Sequence, residues 1–336
     1  MTPLAFSHHL PHHKPINHAL RPEEAMHPND RTIHAPDGTP IAYHISDPEL
    51  EPTLIYSNGY ATSTHYWEHI HAHFRGRARQ ITWDFRGHGR SGAARDLSAV
   101  SIAALARDLG RILEVEGIER ATLVGFSFGC QVTLEAWRHF PERIAGIVVA
   151  LGTFERPFDE VFHPRLGPKL FRVFRAGAPR LGPAMMRAAG MLAPLPFNVS
   201  MGKRLGMIEA NIEDAEMRPF FEHFRELDGA TWAAMGIAAQ AHSARDVLPT
   251  IQAPTLIIGG GKDVWTPIKK SEEMHALIPH SEYVFLPTAT HTGLLGHSRR
   301  IITALDGFLS RHQLIDPIQD IPDLPHAPPL VAREEE

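Results

Sequence analysis

The sequence predicts a three-layer α/β fold in which a mostly parallel sheet lies between helices. Six short runs rich in Val, Ile and Leu alternate with helix-like stretches, and they lie in PTLIYSNG, ARQITWDFRG, RATLVGFS, IAGIVVALGT, APTLIIGGGKD and SEYVFLPTATH. Continuous apolar runs of this length are typical of strands buried on both faces of a parallel sheet. Regular strand–helix alternation places the helices on the two faces of that sheet.

A hairpin is predicted before these six strands. The stretch RTIHAPDGTPIAYHIS carries Asp37-Gly38 between two strand-like halves, and Asp-Gly is a favoured hairpin turn. Helical periodicity is clear in the segments 102–113 and 301–309, where apolar residues recur every three or four positions. Gly117 follows the first of these segments and predicts the end of that helix.

The chain divides into a core, an insertion and two terminal segments. Residues 155–246 look helical throughout and separate two buried strands, so we interpret them as a helical cap inserted after the sixth strand of a core formed by 32–154 and 247–312. The His- and Pro-rich residues 1–31 predict a flexible arm, whose histidines lack a regular metal-ligand spacing. Residues 313–336 are Pro-rich with an acidic end and predict an extended or disordered tail.

Composition and charge narrow the class of protein. The net charge of −5 over 336 residues gives no global case for nucleic-acid binding. Cys130 is the only cysteine, which excludes an internal disulfide and favours a reducing compartment. No run reaches the roughly 18 apolar residues that a membrane span needs, and the N-terminus is a poor secretory signal. We therefore expect a cytoplasmic protein without an integral membrane segment.

The segment Gly125-Phe126-Ser127-Phe128-Gly129 is the strongest candidate for a catalytic motif. It follows the strand-like ATLV and precedes the helix-like CQVTLEAWRHF. A tight strand-to-helix turn lifts a serine clear of the sheet, and glycines two residues before and after leave room for that turn. Ser127 is therefore predicted to be a nucleophile, and the alternative is a plain glycine turn.

A serine nucleophile requires a base and an acid that orients the base. Asp263 and His291 each follow a buried strand, in the order Ser, Asp, His. We predict that His291 takes the serine proton and that Asp263 fixes the tautomer of His291. Glu155 and Asp159 follow the preceding strand and are competing acids.

Acyl transfer also requires hydrogen-bond donors for the developing oxyanion. Asn58-Gly59-Tyr60 ends an early strand and can aim the Tyr60 amide into the site, while the amide of Phe128 follows the nucleophile. These two amides are the predicted oxyanion hole. Phe126 and Trp265 are predicted to contact the substrate.

These motifs together resemble the α/β-hydrolase superfamily, in particular its cap-bearing serine esterase-like branch, over roughly residues 31–311. DFRGHGRSG resembles the D-x-R-G-x-G-x-S segment after the fourth strand, and APTLIIGGGKDVWTP resembles the segment that carries the acid. The resemblance implies that Asp84 and Arg86 support structure and that His88 is a loop residue. One departure is Asn58, because relatives commonly have His-Gly at the oxyanion turn.

The resemblance implies a hydrolase that uses no metal or organic cofactor. Ser127 argues against the haloalkane dehalogenases and epoxide hydrolases of the superfamily, which use an Asp nucleophile. We expect hydrolysis of a small-molecule carboxylic ester through an acyl-enzyme. C–C bond hydrolysis, thioester hydrolysis and lactone hydrolysis share the same triad and remain alternatives, as does a ligand-binding receptor or scaffold. The sequence does not indicate the oligomeric state.

The cap sequence bears on the substrate and on lipid contact. Residues 161–208 contain no Asp or Glu but eight Lys or Arg residues, interleaved with Leu, Phe and Met. Such a segment suits an apolar acyl or aryl ester, or weak contact with a lipid or acyl chain. The alternative is an ordinary cap with a solvated basic face.

Overall fold

A computed structural model of the protein describes residues 29–317 apart from 160, 162, 194 and 196. Within that part, eight strands form one sheet in the order β1-β2-β4-β3-β5-β6-β7-β8. The strands are β1 (Asp30–His34), β2 (Pro40–Ser46), β3 (Thr53–Ser57), β4 (Arg79–Trp83), β5 (Ala121–Phe126), β6 (Ile144–Ala150), β7 (Thr255–Gly260) and β8 (Glu282–Leu286). The predicted α/β sheet is therefore confirmed.

The sheet is parallel except at its first strands. Strand β2 pairs antiparallel with both β1 and β4, and the β1–β2 turn contains Gly38 at a φ of 80°. All pairs from β4 through β3 to β8 are parallel. Because β3 lies beside β5, with Ser57 opposite Gly125, the loops that follow these two strands meet at the same edge of the sheet.

Helices cover both faces of the sheet, as the sequence predicts. One apolar cluster joins the sheet to α2, α3 and α8, and a second joins the opposite face to α1 and α10. The α-helices are α1 (Glu68–Phe74), α2 (Ile102–Val115), α3 (Phe128–His139), α4 (Gly167–Leu192), α5 (Phe197–Arg204), α6 (Asp214–His223), α7 (Gly229–Ala241), α8 (Ile268–Leu277), α9 (Gly293–Gly296) and α10 (Ser298–Arg311). Short 3-10 helices lie at Thr64–Trp67, Leu97–Ala99, Pro141–Arg143, Pro157–Asp159, Phe224–Glu226 and Leu248–Thr250.

Helices α4 to α7 lie between β6 and β7, in the segment that the sequence predicts to be a cap, and we keep that name for the segment. Helices α4 and α7 approach closely where glycine faces glycine, since a Cβ at Gly182 would lie 2.2 Å from the main-chain oxygen of Gly229. The start of α7 is fixed to the loop after β4: the amide of Asp228 donates to the oxygen of Gly87 at 2.8 Å, and the amide of Ala94 donates to Thr231 Oγ1 at 3.0 Å. The cap therefore rests on the carboxyl edge of the sheet.

The structure differs from the expected ends of the core by a few residues. Strand β1 begins at Asp30, inside the segment expected to be a flexible arm. Ile315 is buried in the core and Leu314 packs against it, although both lie in the expected tail. Residues 1–28 of the arm and 318–336 of the tail lie outside the described residues. Among the described helices, none is long and apolar enough to cross a bilayer.

Candidate active site

Ser127 occupies the sharp turn between β5 and α3. Its φ of 53° and ψ of −115° place it in a strained conformation that non-glycine residues rarely adopt. A Cβ at Gly125 would lie 2.7 Å from the main-chain oxygen of Gly129, and a Cβ at Gly129 would lie 2.1 Å from that of Ser57. The two glycines are therefore required by close packing of α3 against β5 and β3.

The three predicted triad residues lie in one hydrogen-bonded row. His291 Nε2 is 2.9 Å from Ser127 Oγ, and His291 Nδ1 is 2.8 Å from Asp263 Oδ2. The row connects three loops at the carboxyl edge of the sheet, which follow β5, β7 and β8. This arrangement allows the imidazole to accept the serine proton while the carboxylate holds the other ring nitrogen.

Asp263 is itself held in place by its own loop. Its Oδ1 accepts hydrogen bonds from the amides of Trp265 at 2.8 Å and Thr266 at 2.9 Å. Its Oδ2 accepts a hydrogen bond from the Thr266 hydroxyl at 2.7 Å, in addition to that from His291. The carboxylate is buried, and the donors on both of its oxygens fix its orientation towards His291.

Glu155, the competing acid, is engaged elsewhere. Its carboxylate pairs with Arg245 at 2.9 Å and Lys270 at 3.1 Å, and it accepts a hydrogen bond from Ser243 at 2.8 Å. Burial acts to raise the pKa of Glu155, but these donors outweigh it and lower that pKa to about 2. Asp159, the other competitor, accepts a hydrogen bond from Gln240 at 2.5 Å. Glu155 therefore joins the cap to the core through Lys270, and Asp159 bonds within the cap.

The side chain of Asn58 fixes the predicted oxyanion turn through two hydrogen bonds. Its Nδ2 donates to the main-chain oxygen of Trp83 at 3.1 Å, and its Oδ1 accepts from the indole of Trp67 at 2.8 Å. Asn58 is buried, so both halves of its amide are satisfied by specific partners. The adjacent Gly59 is tightly packed, because a Cβ there would lie 3.0 Å from the ring of Phe126.

His88 fixes the next part of this turn. Ala61 has a positive φ of 56°, and its amide donates to His88 Nε2 at 3.3 Å. His88 Nδ1 lies 3.0 Å from the oxygen of Arg86, to which it donates. Burial, together with the charge of His223, lowers the pKa of His88 to about 3, so its Nε2 stays an acceptor. His88 is thus a loop residue that supports the turn.

The amides of Tyr60 and Phe128 are the candidate oxyanion donors. Around Tyr60, the Ala61 amide is bound to His88 and the Thr62 amide donates to the oxygen of Gly59 at 3.3 Å. The Tyr60 amide has no acceptor among the described residues. Phe128 is the first residue of α3, so its amide lacks an intrahelical partner and lies at the positive end of the helix.

Aromatic side chains surround the row of Ser127, His291 and Asp263. The Phe126 ring lies 5.2 Å from the ring of His291 and is fully buried, so it supports the imidazole; its contact with substrate stays a prediction. Trp265 is half-buried with its ring 6.3 Å from His291, and its substrate contact is likewise a prediction. The ring of Phe128 lies 5.8 Å from that of Tyr60.

Arg86 and Cys130, two reactive side chains near the site, are each held by buried contacts. Arg86 is buried and forms a two-pronged ion pair with Asp108, at 2.7 and 2.8 Å, plus a contact of 2.7 Å with Asp37. The Cys130 thiol donates to the oxygen of Gly125 at 3.3 Å, and burial raises its pKa, which keeps it protonated and a poor nucleophile.

Two contributors to the site were missed by sequence reasoning. Thr266 donates both an amide and a hydroxyl hydrogen bond to Asp263, and a Thr three residues after the candidate acid was a readable signal. Trp232, on α7 of the cap, accepts the hydroxyl hydrogen bond of Tyr60 at 2.6 Å through its main-chain oxygen. No sequence signal marks a main-chain acceptor, so this contact could be found only in three dimensions.

Comparison with known proteins identifies the family. A family model described as the alpha/beta hydrolase fold matches residues 52–298, which is most of the chain. The chain belongs to the α/β-hydrolase family. The expected fold and the expectation of a hydrolase are thereby confirmed.

Individual relatives of the hydrolase are distant but cover most of its length. It is 26% identical to an uncharacterized protein of Mycobacterium tuberculosis over 285 residues, 83% of this chain and 80% of the relative. It is 22% identical to a 3-oxoadipate enol-lactonase of Acinetobacter baylyi over 276 residues, 82% and 95% of the two chains.

Solved structures resemble the hydrolase over most of its length. A hydrolase from Pseudomonas aeruginosa superposes with a TM-score of 0.69 at 25% identity, covering 84% of this chain and 98% of the other. An enol-lactonase from Burkholderia xenovorans superposes with a TM-score of 0.68 at 21% identity, covering 83% and 100%. The second likeness shows the shared fold.

Proposed function

We propose that the hydrolase cleaves a carboxylic ester with Ser127 as nucleophile, His291 as general base and Asp263 as the acid that orients it. The observation that carries the proposal is the hydrogen-bonded row from Ser127 Oγ to His291 Nε2 at 2.9 Å and from His291 Nδ1 to Asp263 Oδ2 at 2.8 Å. A receptor or scaffold, the alternative of another class, has no need of all three groups in this arrangement.

In the proposed reaction, Ser127 Oγ attacks the ester carbonyl while His291 Nε2 takes the hydroxyl proton. The tetrahedral intermediate collapses to an acyl-serine, and His291 returns the proton to the departing alcohol. Water then attacks the acyl-serine, His291 takes a proton from it, and the carboxylic acid leaves as Ser127 recovers its proton. Asp263 stabilises the imidazolium that exists in each half of the cycle.

The amides of Tyr60 and Phe128 would stabilise the negative oxygen of both tetrahedral intermediates. Donors fixed before the reaction are effective because no reorganisation is needed as charge develops. The buried anchors of the Tyr60 turn, Asn58 and His88, support such pre-organisation through bonds to Trp67, Trp83 and the Ala61 amide.

An apolar acyl or aryl group fits the surroundings best. Three aromatic rings lie together where the cap meets the core. The ring centroid of Tyr60 is 5.8 Å from that of Phe128 and 5.6 Å from that of Trp232. Lactones are a specific second candidate, because relatives by sequence and by structure are named enol-lactonases. A lactone is a cyclic ester and requires the same attack by Ser127.

A substrate panel tests this proposal. We expect p-nitrophenyl esters of medium chain length and aryl esters to be hydrolysed faster than p-nitrophenyl acetate, and Ser127→Ala to abolish turnover of all of them. Lactones, thioesters, amides and C–C substrates in the same panel identify the preferred bond. A strict preference for acetate would contradict the apolar acyl site, and turnover that survives Ser127→Ala would contradict the nucleophile.

We also propose a cytoplasmic location for the hydrolase. The single cysteine supports it, because a chain that can form no internal disulfide suits a reducing compartment. Fractionation of cells that express the full chain would test it, and recovery from the medium would contradict it.

A further inference from the structure

The outer side of the cap exposes an unusual number of large apolar side chains. Val173 on α4 is 74% exposed and Met191 is 69% exposed. Further exposed apolar residues on α4, α5 and the turns beside them are Leu166, Leu170, Leu181, Met185, Leu192, Leu195, Phe197, Met201 and Leu205. Large apolar side chains exposed repeatedly along one segment indicate an interaction site, whereas apolar side chains exposed singly need no explanation.

The same surface is strongly basic. Residues 161–208 contain eight Lys or Arg residues and no Asp or Glu. One of them, Lys203, pairs with Asp214 at 3.0 Å. The others are Arg165, Lys169, Arg172, Arg175, Arg180, Arg187 and Arg204, all exposed and without an ion pair to the described residues.

Helical spacing places the apolar and basic side chains together. Along α4, exposed positions recur every three, four or seven residues, so they project from one side of the helix. These positions are Val173, Arg180, Ala184, Arg187 and Met191. Every fourth residue from Ala178 to Gly190 is buried on the opposite side, where α4 packs against α7 and the residues before it. The exposed side is therefore both apolar and cationic.

Charge decides what kind of partner this outer cap face fits. A second copy placed face to face would set Lys169, Arg180 and Arg187 against the same cations, which is unfavourable. A lipid surface with anionic headgroups offers negative charge for the cations and acyl chains for the apolar side chains. Helix α4 has 26 residues and would extend roughly 39 Å if it lay flat on that surface.

We propose that the outer cap face, formed by the exposed side of α4, docks the hydrolase reversibly on anionic membranes. Helix α4 lies in the plane of the headgroups, with Val173 and Met191 inserted and the basic side chains of α4 on lipid phosphates. This docking is independent of the reaction assigned to Ser127. A cytoplasmic protein meets such a surface on the inner leaflet, which is the anionic one.

Vesicle co-sedimentation of the full chain tests the docking. We expect binding to phosphatidylcholine vesicles that contain phosphatidylglycerol, at least tenfold weaker binding to phosphatidylcholine alone, and release at high salt. The triple change Lys169→Gln, Arg180→Gln and Arg187→Gln should weaken binding at least tenfold, and so should Val173→Ser with Met191→Ser. The matched control is Arg299→Gln with Arg300→Gln on α10, which should bind as wild type does.

Hydrolysis of a soluble ester and the melting temperature are measured on each variant. We expect both to stay near the wild-type values, which separates docking from catalysis and folding. The proposal is overturned if the triple variant or the double apolar variant binds vesicles as wild type does, or if the α10 control loses binding equally. Binding to polyglutamate without binding to anionic vesicles would also overturn it and would assign the face to an acidic protein.

Discussion

The phenol oxygen of Tyr60 lies 2.6 Å from the main-chain oxygen of Trp232, and the two rings stack with centroids 5.6 Å apart. Tyr60 belongs to the turn after β3, whereas Trp232 belongs to α7 of the cap. The proposed oxyanion donor is therefore tied to the cap by the side chain of its own residue.

Tyr60→Phe should lower kcat about tenfold with a smaller change in KM, because the loosened turn displaces the Tyr60 amide from the oxyanion. The matched control is Tyr56→Phe, which removes a buried hydroxyl bonded to Gln80 at 3.0 Å, away from the site. Both variants should lose about 1 kcal/mol of stability. Equal kcat values in the two variants would show that the tie to Trp232 has no part in catalysis.

Asp263→Asn should lower kcat by about ten-thousand-fold while the protein stays folded, because the amide cannot hold the same His291 tautomer. Steady-state ester hydrolysis measures this effect. Glu155→Gln is the control, since Glu155 bonds to Arg245 and Lys270 and should leave kcat within about threefold of wild type. If Glu155→Gln were the variant that lost activity, the acid would be misassigned.

Gly129→Ala and Gly177→Ala should change stability in opposite directions. The new Cβ at position 129 would lie 2.1 Å from the oxygen of Ser57, so this variant should lose about 3 kcal/mol or more, or fail to fold. At position 177, on α4, the new Cβ meets only Leu181 at 3.8 Å, so alanine should add about 0.5–1 kcal/mol. Urea unfolding measures both, and a neutral Gly129→Ala would contradict the tight elbow.

The buried imidazole of His71 should lower the free energy of unfolding of the hydrolase in acid. Burial, aided by the charges of His44 and Arg75, lowers the pKa of His71 from 6.5 to about 3. Between these values the unfolded chain binds a proton that the folded chain does not, so the free energy of unfolding falls as pH falls from 6.5 towards 3. The stability that neutral His71 contributes to the folded protein is therefore fully present above pH 6.5.

Replacement by an apolar ring removes this titration. His71→Phe should reduce the slope of the free energy of unfolding against pH by up to about 1.4 kcal/mol per pH unit. Repacking beside Tyr56 adds an offset that does not depend on pH. Urea midpoints measured from pH 8 to pH 5 test the change. Parallel curves for wild type and variant would contradict the assigned cause.

Much of the architecture could be predicted from local patterns. Apolar runs that end at Gly, Asp, Thr or His indicated the strands, and the carboxyl ends of parallel strands meet at one edge. That rule was enough to expect Ser127, Asp263 and His291 together, and the structure places them within hydrogen-bonding distance. Their catalytic roles stay predictions until they are tested.

Long-range contacts to main-chain atoms could not be predicted. The bonds of Asn58 reach Trp67 and the oxygen of Trp83, and the Tyr60 hydroxyl reaches a residue 172 positions away. Such contacts depend on how the loops pack in three dimensions, and any residue offers the same main-chain acceptor. The sequence indicated the chemistry of the site more readily than the supports that hold it.

Covalent labelling tests most directly whether Ser127 is an activated nucleophile. The wild-type protein, His291→Ala and Ser127→Ala would be treated with a fluorophosphonate probe, and the modified peptide located by mass spectrometry. We predict rapid labelling of wild type at Ser127, labelling at least about a hundredfold slower in His291→Ala, and none in Ser127→Ala. Folded wild-type protein that remained unlabelled, or that was labelled at another residue, would contradict the account.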